Sequence, residues 1–337
     1  MDPAEPALQP GEVRIRVAYC GICGSDLHEY VNGPHAIPVE RPHALSGRCA
    51  PLTLGHEFCG EVVESADSGV RVGARVAVEP EYRCGQCTYC RKASTTGASP
   101  WALSASWATE PWRKPWSCLH TWCTSFQTKC ASIRPTLEPA AVALHAVRSS
   151  GLRPGDACAV FGMGPIGLLT VAMLRQCGAG EIIAVDVHPS RLALAGAMGA
   201  SRTVDASREH SASTVFAATS GQGAAIAFEA AGSQLTLDAT LACLRKGGEA
   251  VLVGLMGKAE VDIFDIVNRE LRLTASVGYR DVFPTLMAWT ARGLIDPSAI
   301  VMKKVSLAHA VPQGFDALIA DKDQVKVLVA PNGEDVG

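Results

Sequence analysis

Three separate runs of this 337-residue chain carry side chains able to grip a divalent metal: Cys23 in Gly21-Ile22-Cys23-Gly24-Ser25-Asp26-Leu27-His28, the pair His56 and Glu57 after Gly55, and Glu138 in Leu137-Glu138-Pro139. Thiolate, imidazole and carboxylate together suffice for a catalytic zinc, which takes three protein ligands and keeps one position open. Taken singly, each has a plain explanation: a buried Cys, a surface His, a helix-starting Glu before Pro. A second set is denser, because Cys84, Cys87 and Cys90 in Cys84-Gly85-Gln86-Cys87-Thr88-Tyr89-Cys90 stand at two-residue gaps, the spacing of a structural zinc lobe.

A third constellation suits a dinucleotide. The apolar strand Ala157–Phe161 runs into Gly162-Met163-Gly164-Pro165-Ile166-Gly167 and then into an apolar helix over residues 168–176. Gly162 permits the tight turn, Gly164 lets backbone approach a pyrophosphate, Gly167 lets helix pack on strand, and the helix N-terminus presents N–H donors. The next strand, residues 181–185, ends in Asp186, 19 residues after Gly167. An acid there accepts hydrogen bonds from an adenosine ribose and repels a 2′-phosphate, which favours NAD over NADP. Gly162, Gly164, Pro165, Ile166, Gly167, Asp186 and Arg191 form the expected cofactor-binding set.

These groups need two kinds of support. Residues 11–78 read as short strands and turns, with strands at 13–19, 61–64 and 76–78 around a Pro- and His-rich loop at 32–51. From 156 to 254 the pattern becomes strand, glycine turn, apolar helix, strand, repeated, as in βαβ units on a parallel sheet. The tail closes with a strand at 324–330. The simplest architecture is a β-rich domain interrupted by an inserted α/β domain with a doubly wound parallel sheet. The expected domains are residues 1–145, 146–280 and 281–337, the last returning to the first.

Composition narrows the partners. Net charge is −3, with no large basic patch for nucleic acid, and the apolar runs are too short to cross a bilayer. No signal-peptide pattern opens the chain. The 13 cysteines, an odd number, argue thiolate chemistry in a reducing compartment. The expectation is a cytoplasmic, soluble protein that binds neither membrane nor nucleic acid.

Together these runs resemble the zinc-dependent medium-chain alcohol and polyol dehydrogenases over most of the chain, and among them the (R,R)-2,3-butanediol dehydrogenases. The resemblance rests on Cys20-Gly21-Ile22-Cys23-Gly24-Ser25-Asp26-Leu27-His28-Glu29-Tyr30, on Leu52-Thr53-Leu54-Gly55-His56-Glu57-Phe58, on Ser276-Val277-Gly278-Tyr279-Arg280 and on the glycine turn. It implies a Rossmann domain inserted in a GroES-like catalytic domain, and a zinc on Cys23, His56 and Glu138, with Glu57 as an alternating ligand or one standing behind the metal. It implies that Ser25 and His28 relay the alcohol proton, and that hydride passes between NAD and a small diol, secondary alcohol or ketone, such as 2,3-butanediol and acetoin. A homo-oligomer is expected.

The chain departs from that pattern in one stretch. The family's fourth structural cysteine would fall at position 98, which is Ala98, so the lobe is incomplete unless Cys118, Cys123 or Cys130 replaces it. Between residues 93 and 135 there is no Val or Asp, while five of the chain's six Trp cluster there. Such a segment does not read as strand. Its length matches the family and its content does not, which reads as a frame-shifted segment over 91–135; a divergent loop is the other reading. The start also looks short of a strand hairpin, whose loss would expose a sheet edge. The alternative function is therefore a damaged gene product that binds NAD without competent catalysis.

Overall fold

The computed structural model describes residues 7–44, 46–66, 69–82, 87–88, 102–103, 116–119, 123–125 and 135–333. The chain divides into two units, one of residues 1–138 and 283–337, the other of residues 139–282.

In the first unit, β1 (Glu12–Gly21) alternates buried Val13, Ile15 and Val17 with the half-buried or exposed Arg14 and Arg16, as a half-buried strand must. It pairs antiparallel with β2 (Glu57–Ser65), and β2 with β3 (Arg75–Val78). The short β4 (Glu81–Tyr82) and β5 (Ala102–Leu103) pair separately. The segment at 91–135 lies mostly outside the described residues, but three described pieces of it, β5 among them, are strands, contrary to the sequence reading. β6 (Trp116–Leu119) pairs with the first half of β1, and β7 (Cys123–Ser125) with β3. Backbone hydrogen bonding to strands already in place overrides weak propensity there. It also leaves the start of β1 paired on both edges rather than open.

The second unit reads as its sequence does. Its strands are β8 (Ala157–Phe161), β9 (Glu181–Asp186), β10 (Arg202–Asp205), β11 (Ala224–Glu229), β12 (Leu244–Leu252) and β13 (Arg272–Ala275), all parallel in the order β10-β9-β8-β11-β12-β13. That order reverses beside β8, the doubly wound Rossmann arrangement, which places a ligand crevice at the carboxyl ends of β8 and β11. Its core packs Ala159, Phe161, Ile183, Val185, Val204 and Val215.

The chain then returns to the first unit. β14 (Val301–Ser306) and β15 (Lys326–Ala330) pair parallel, and β15 joins β1 antiparallel at Cys20 and Gly21. Ile22, Phe315, Val327 and Val329 share a buried cluster that seats this return beneath the turn carrying Cys23. Among the described residues no helix is long and apolar enough to cross a membrane.

Candidate metal and dinucleotide sites

Helix α1 (Gly24–Asn32) begins directly after Cys23, whose extended backbone (φ −91°, ψ 160°) makes it the N-cap. Three residues on, Asp26 is buried and its carboxylate accepts from the Cys23 N–H at 2.9 Å and the Gly55 N–H at 3.3 Å. The same carboxylate lies 3.6 Å from His56 Nδ1. One acid thus ties the cysteine turn to the histidine and orients the ring, as carboxylates behind metal-binding histidines do. Burial works against charge on His56, but Asp26 and then Cys23 outweigh it and lift its pKa well above the ordinary 6.5.

Glu57 opens β2 opposite Gly21 of β1. A Cβ at Gly21 would collide with the Glu57 carboxylate, which accounts for the glycine inside Cys20-Gly21-Ile22-Cys23. Ligand atoms of Cys23, His56 and Glu57 all lie within 4.8 Å of one another, the one such group of three among the described residues. Glu138, in the first turn of helix α2 (Leu137–Ser149), is buried beside them but outside that group. Burial pushes its pKa up to about 8; His56 and Lys326 pull it down, while Glu57 and Glu81 add to the rise. A thiolate, an imidazole and two carboxylates facing one buried spot is a donor set suited to zinc, and a cation there would relieve their crowding.

Sequence reading missed the pocket's own cation. Lys326 is 1% exposed, and its Nζ donates to both Glu57 oxygens at 2.7 Å and to the Ile22 carbonyl at 2.9 Å. Burial opposes its charge, yet Glu57 more than offsets that and holds its pKa above the ordinary 10.5. Asp26 was missed too, although an acid three residues after an N-cap is a capping signal. Ser25 is half-buried and His28 exposed, three residues apart on α1 and so on the same helix face. The His28 ring meets His35 edge-on at 6.4 Å, and Glu29 anchors the His35 loop by accepting from the N–H groups of His35, Ala36 and Ile37. Of the proposed structural lobe, Cys87 is described and half-buried, while Cys84 and Cys90 lie outside the described residues.

In the second unit Gly162 has φ +91°, a conformation open to glycine, and a Cβ on Gly167 would strike the Gly162 carbonyl oxygen. Gly164 caps helix α3 (Pro165–Gln176), with Pro165 at its start and Ile166 following. The helix begins three residues earlier than its apolar run, because Pro165 presets the helical φ. A Cβ at Gly164 would meet nothing within 4 Å, so a pyrophosphate has room to approach. Asp186 accepts from the backbone N–H of Met163 at 2.6 Å, Val187 at 2.7 Å and His188 at 2.9 Å, and contacts His188 Nδ1 at 2.9 Å. Its carboxylate therefore shapes the glycine turn. Arg191 sits half-buried in the following helix, Pro189–Met198. At the neighbouring strand end, buried Glu229 accepts from Ala231 N–H, Gly232 N–H and the Thr236 hydroxyl, a further residue that sequence reading passed over.

Residues 9–120 match the family described as alcohol dehydrogenase GroES-like domain, and residues 165–292 that described as zinc-binding dehydrogenase. The chain is 40% identical to the (R,R)-butanediol dehydrogenase of Bacillus subtilis (strain 168) over 97% of its own length and 95% of that protein's. It belongs to the zinc-type alcohol dehydrogenases. A sorbitol dehydrogenase of the same organism is 32% identical, covering 97% of this chain and 92% of that one. The X-ray structure of 2R,3R-butanediol dehydrogenase from Bacillus subtilis superposes with a TM-score of 0.89 at 38% identity, covering 98% of this chain and 96% of that one. As a zinc-type alcohol dehydrogenase the protein is an oxidoreductase whose cofactors are zinc and a nicotinamide dinucleotide. Nothing in the described residues favours the reading as a damaged, non-catalytic product.

Proposed function

We propose that this dehydrogenase interconverts a small vicinal diol or secondary alcohol with its ketone, such as 2,3-butanediol with acetoin, using zinc and NAD. The observation that carries the reading is the buried meeting of Cys23, His56 and Glu57, with Glu138 beside them, in a chain that also holds a complete glycine turn ending on Asp186. Similarity to butanediol and sorbitol dehydrogenases supports the substrate class.

Bound zinc supplies Lewis acidity to the alcohol oxygen, and the nicotinamide supplies the hydride acceptor. Cys23, His56 and Glu138 would hold the metal, with Glu57 standing behind it. Asp26 keeps His56 oriented by taking the Nδ1 side of its ring. Ser25 takes the hydroxyl proton and passes it toward His28, whose exposure lets the proton reach solvent. The glycine turn and the N-terminus of α3 would seat the pyrophosphate, and Asp186 would exclude a 2′-phosphate, which gives the preference for NAD over NADP.

The same reading includes a cytoplasmic homo-oligomer. β13 is an edge strand with every residue exposed, and Ile263, Phe264 and Val267 of the adjoining helix Ile263–Asn268 are 61%, 78% and 70% exposed. Such an apolar edge is the kind of surface that a second copy covers.

Steady-state kinetics with the stereoisomers of 2,3-butanediol, sorbitol and simple secondary alcohols, with NAD and with NADP, test the proposal. The expected result is the highest kcat/KM for a four-carbon vicinal diol with NAD. A clear preference for a hexitol would replace the substrate assignment, and no turnover of any alcohol by zinc-loaded protein would overturn the reading.

A further inference from the structure

Two buried carboxylates, Glu57 and Glu138, stand by one thiolate and one imidazole, and a metal that took all four would have a closed set with no place for a substrate oxygen. Glu57 is near enough to close it, since its ligand atom already lies within 4.8 Å of those of Cys23 and His56. What opposes this is Lys326, whose three N–H donors are all engaged, two on the Glu57 oxygens and one on the Ile22 carbonyl, the residue before Cys23. Charge balance points the same way: Cys23 thiolate and one carboxylate neutralise a divalent cation, and Lys326 neutralises the other carboxylate.

We propose that Lys326 is a positioning residue that selects between the two carboxylates, holding Glu57 back so that Glu138 completes the metal set and the fourth position stays open. The inference rests on the zinc reading above and adds the partner that decides coordination number. Lys326 reaches the pocket from β15 because that strand pairs with β1 at Cys20 and Gly21, directly before the metal-binding turn.

The test uses the full-length zinc-loaded enzyme and two readouts other than turnover: the rate of zinc release to an excess of chromophoric chelator, and the visible spectrum of the cobalt-substituted protein with and without imidazole as an added ligand. With Lys326→Met, Glu57 is released toward the metal. Zinc release should then slow on the order of 10-fold, the scale on which groups behind the ligands alter metal affinity, and imidazole should no longer perturb the cobalt spectrum. Lys326→Arg should restore wild-type behaviour in both readouts, as should the double variant Glu57→Gln with Lys326→Met. Release from Lys326→Met as fast as or faster than wild type, with an imidazole response intact, would overturn the proposal while leaving the zinc site standing.

Should Lys326→Met fail to fold, Glu57→Gln decides. Release within about 2-fold of wild type agrees with a Glu57 that is held back, whereas release accelerated on the order of 10-fold or more makes Glu57 itself a ligand and refutes the proposal. Wild-type protein that retains no more zinc than Cys23→Ser would remove the zinc reading and this inference together.

Discussion

The metal pocket and the glycine turn are built on opposite plans. The turn is local: Ala157 to Asp186 spans one strand, one helix and the next strand, and its hydrogen bonds join neighbours such as Met163 and Asp186. The pocket collects residues from four distant stretches, at 22–26, 55–57, 138 and 326, and its bonds include Lys326 to Glu57, 269 positions apart. The turn works through backbone that must be free of side chains. The pocket works through buried charges, each tolerable because another is present.

The largest expected effect separates the two. Cys23→Ser or His56→Ala should abolish zinc retention and cut kcat/KM about 10³-fold, since several kcal/mol of charge stabilisation disappears. NADH affinity, measured by fluorescence titration, should stay within about 2-fold of wild type, because the glycine turn is assembled without any pocket residue. Equal losses of zinc and NADH would show that the two sites are not independent.

A reciprocal experiment damages the turn. Gly162→Val forces a branched side chain into φ +91° and toward Ala231, strain on the order of 1–3 kcal/mol or more. KM for NAD should rise on the order of 10-fold or more while zinc content by elemental analysis remains that of wild type. Zinc lost along with NAD affinity would contradict the local character of the turn.

Asp186→Ala should have a smaller effect of two kinds. It removes the acceptor for the Met163, Val187 and His188 N–H groups, a loss of about 1–3 kcal/mol in thermal or denaturant unfolding. It should also narrow the preference for NAD over NADP. Wild-type kcat/KM for NADP equal to or above that for NAD would refute the assignment of Asp186 as the discriminating acid.

The mildest effect is a pH slope. Without metal, burial keeps Glu138 protonated up to about 8 against an ordinary 4.5, and His56 keeps its proton well above 6.5. The native state binds more protons than the unfolded chain at Glu138 from about 4.5 to about 8, and at His56 only from about 6.5 upward. Stability of the metal-free protein should therefore fall as pH rises from about 4.5 toward 8. Zinc affinity should rise over the same range, because binding expels these protons. Melting curves of metal-free wild type and Glu138→Gln check this: the variant should lose part of the slope, and an unchanged slope would remove Glu138 as its source.

Legibility in the sequence follows the same division. The strand Ala157–Phe161, the glycines and Asp186 were readable in place, because periodicity and glycine positions are local signals and the parallel order of the sheet follows from repeated βαβ units. Residues 116–119 and 123–125 were not readable as strands, since their composition is poor for sheet and their pairing with β1 and β3 depends on strands about a hundred and about forty-five residues earlier.

In the pocket, the sequence by itself determined the kinds of donor available, Cys23, His56, Glu57 and Glu138, because a metal's preference for thiolate, imidazole and carboxylate depends on residue type. The tertiary structure decided which of them meet and what holds them. It put Asp26 against His56, brought Glu57 rather than Glu138 into closest company with Cys23, and returned β15 beneath the turn so that a lysine near the end of the chain neutralises an acid near its beginning. The reason is that a buried charge is stable only through its partner, and partnership between residues 57 and 326 comes from strand pairing, which no local pattern in either segment encodes.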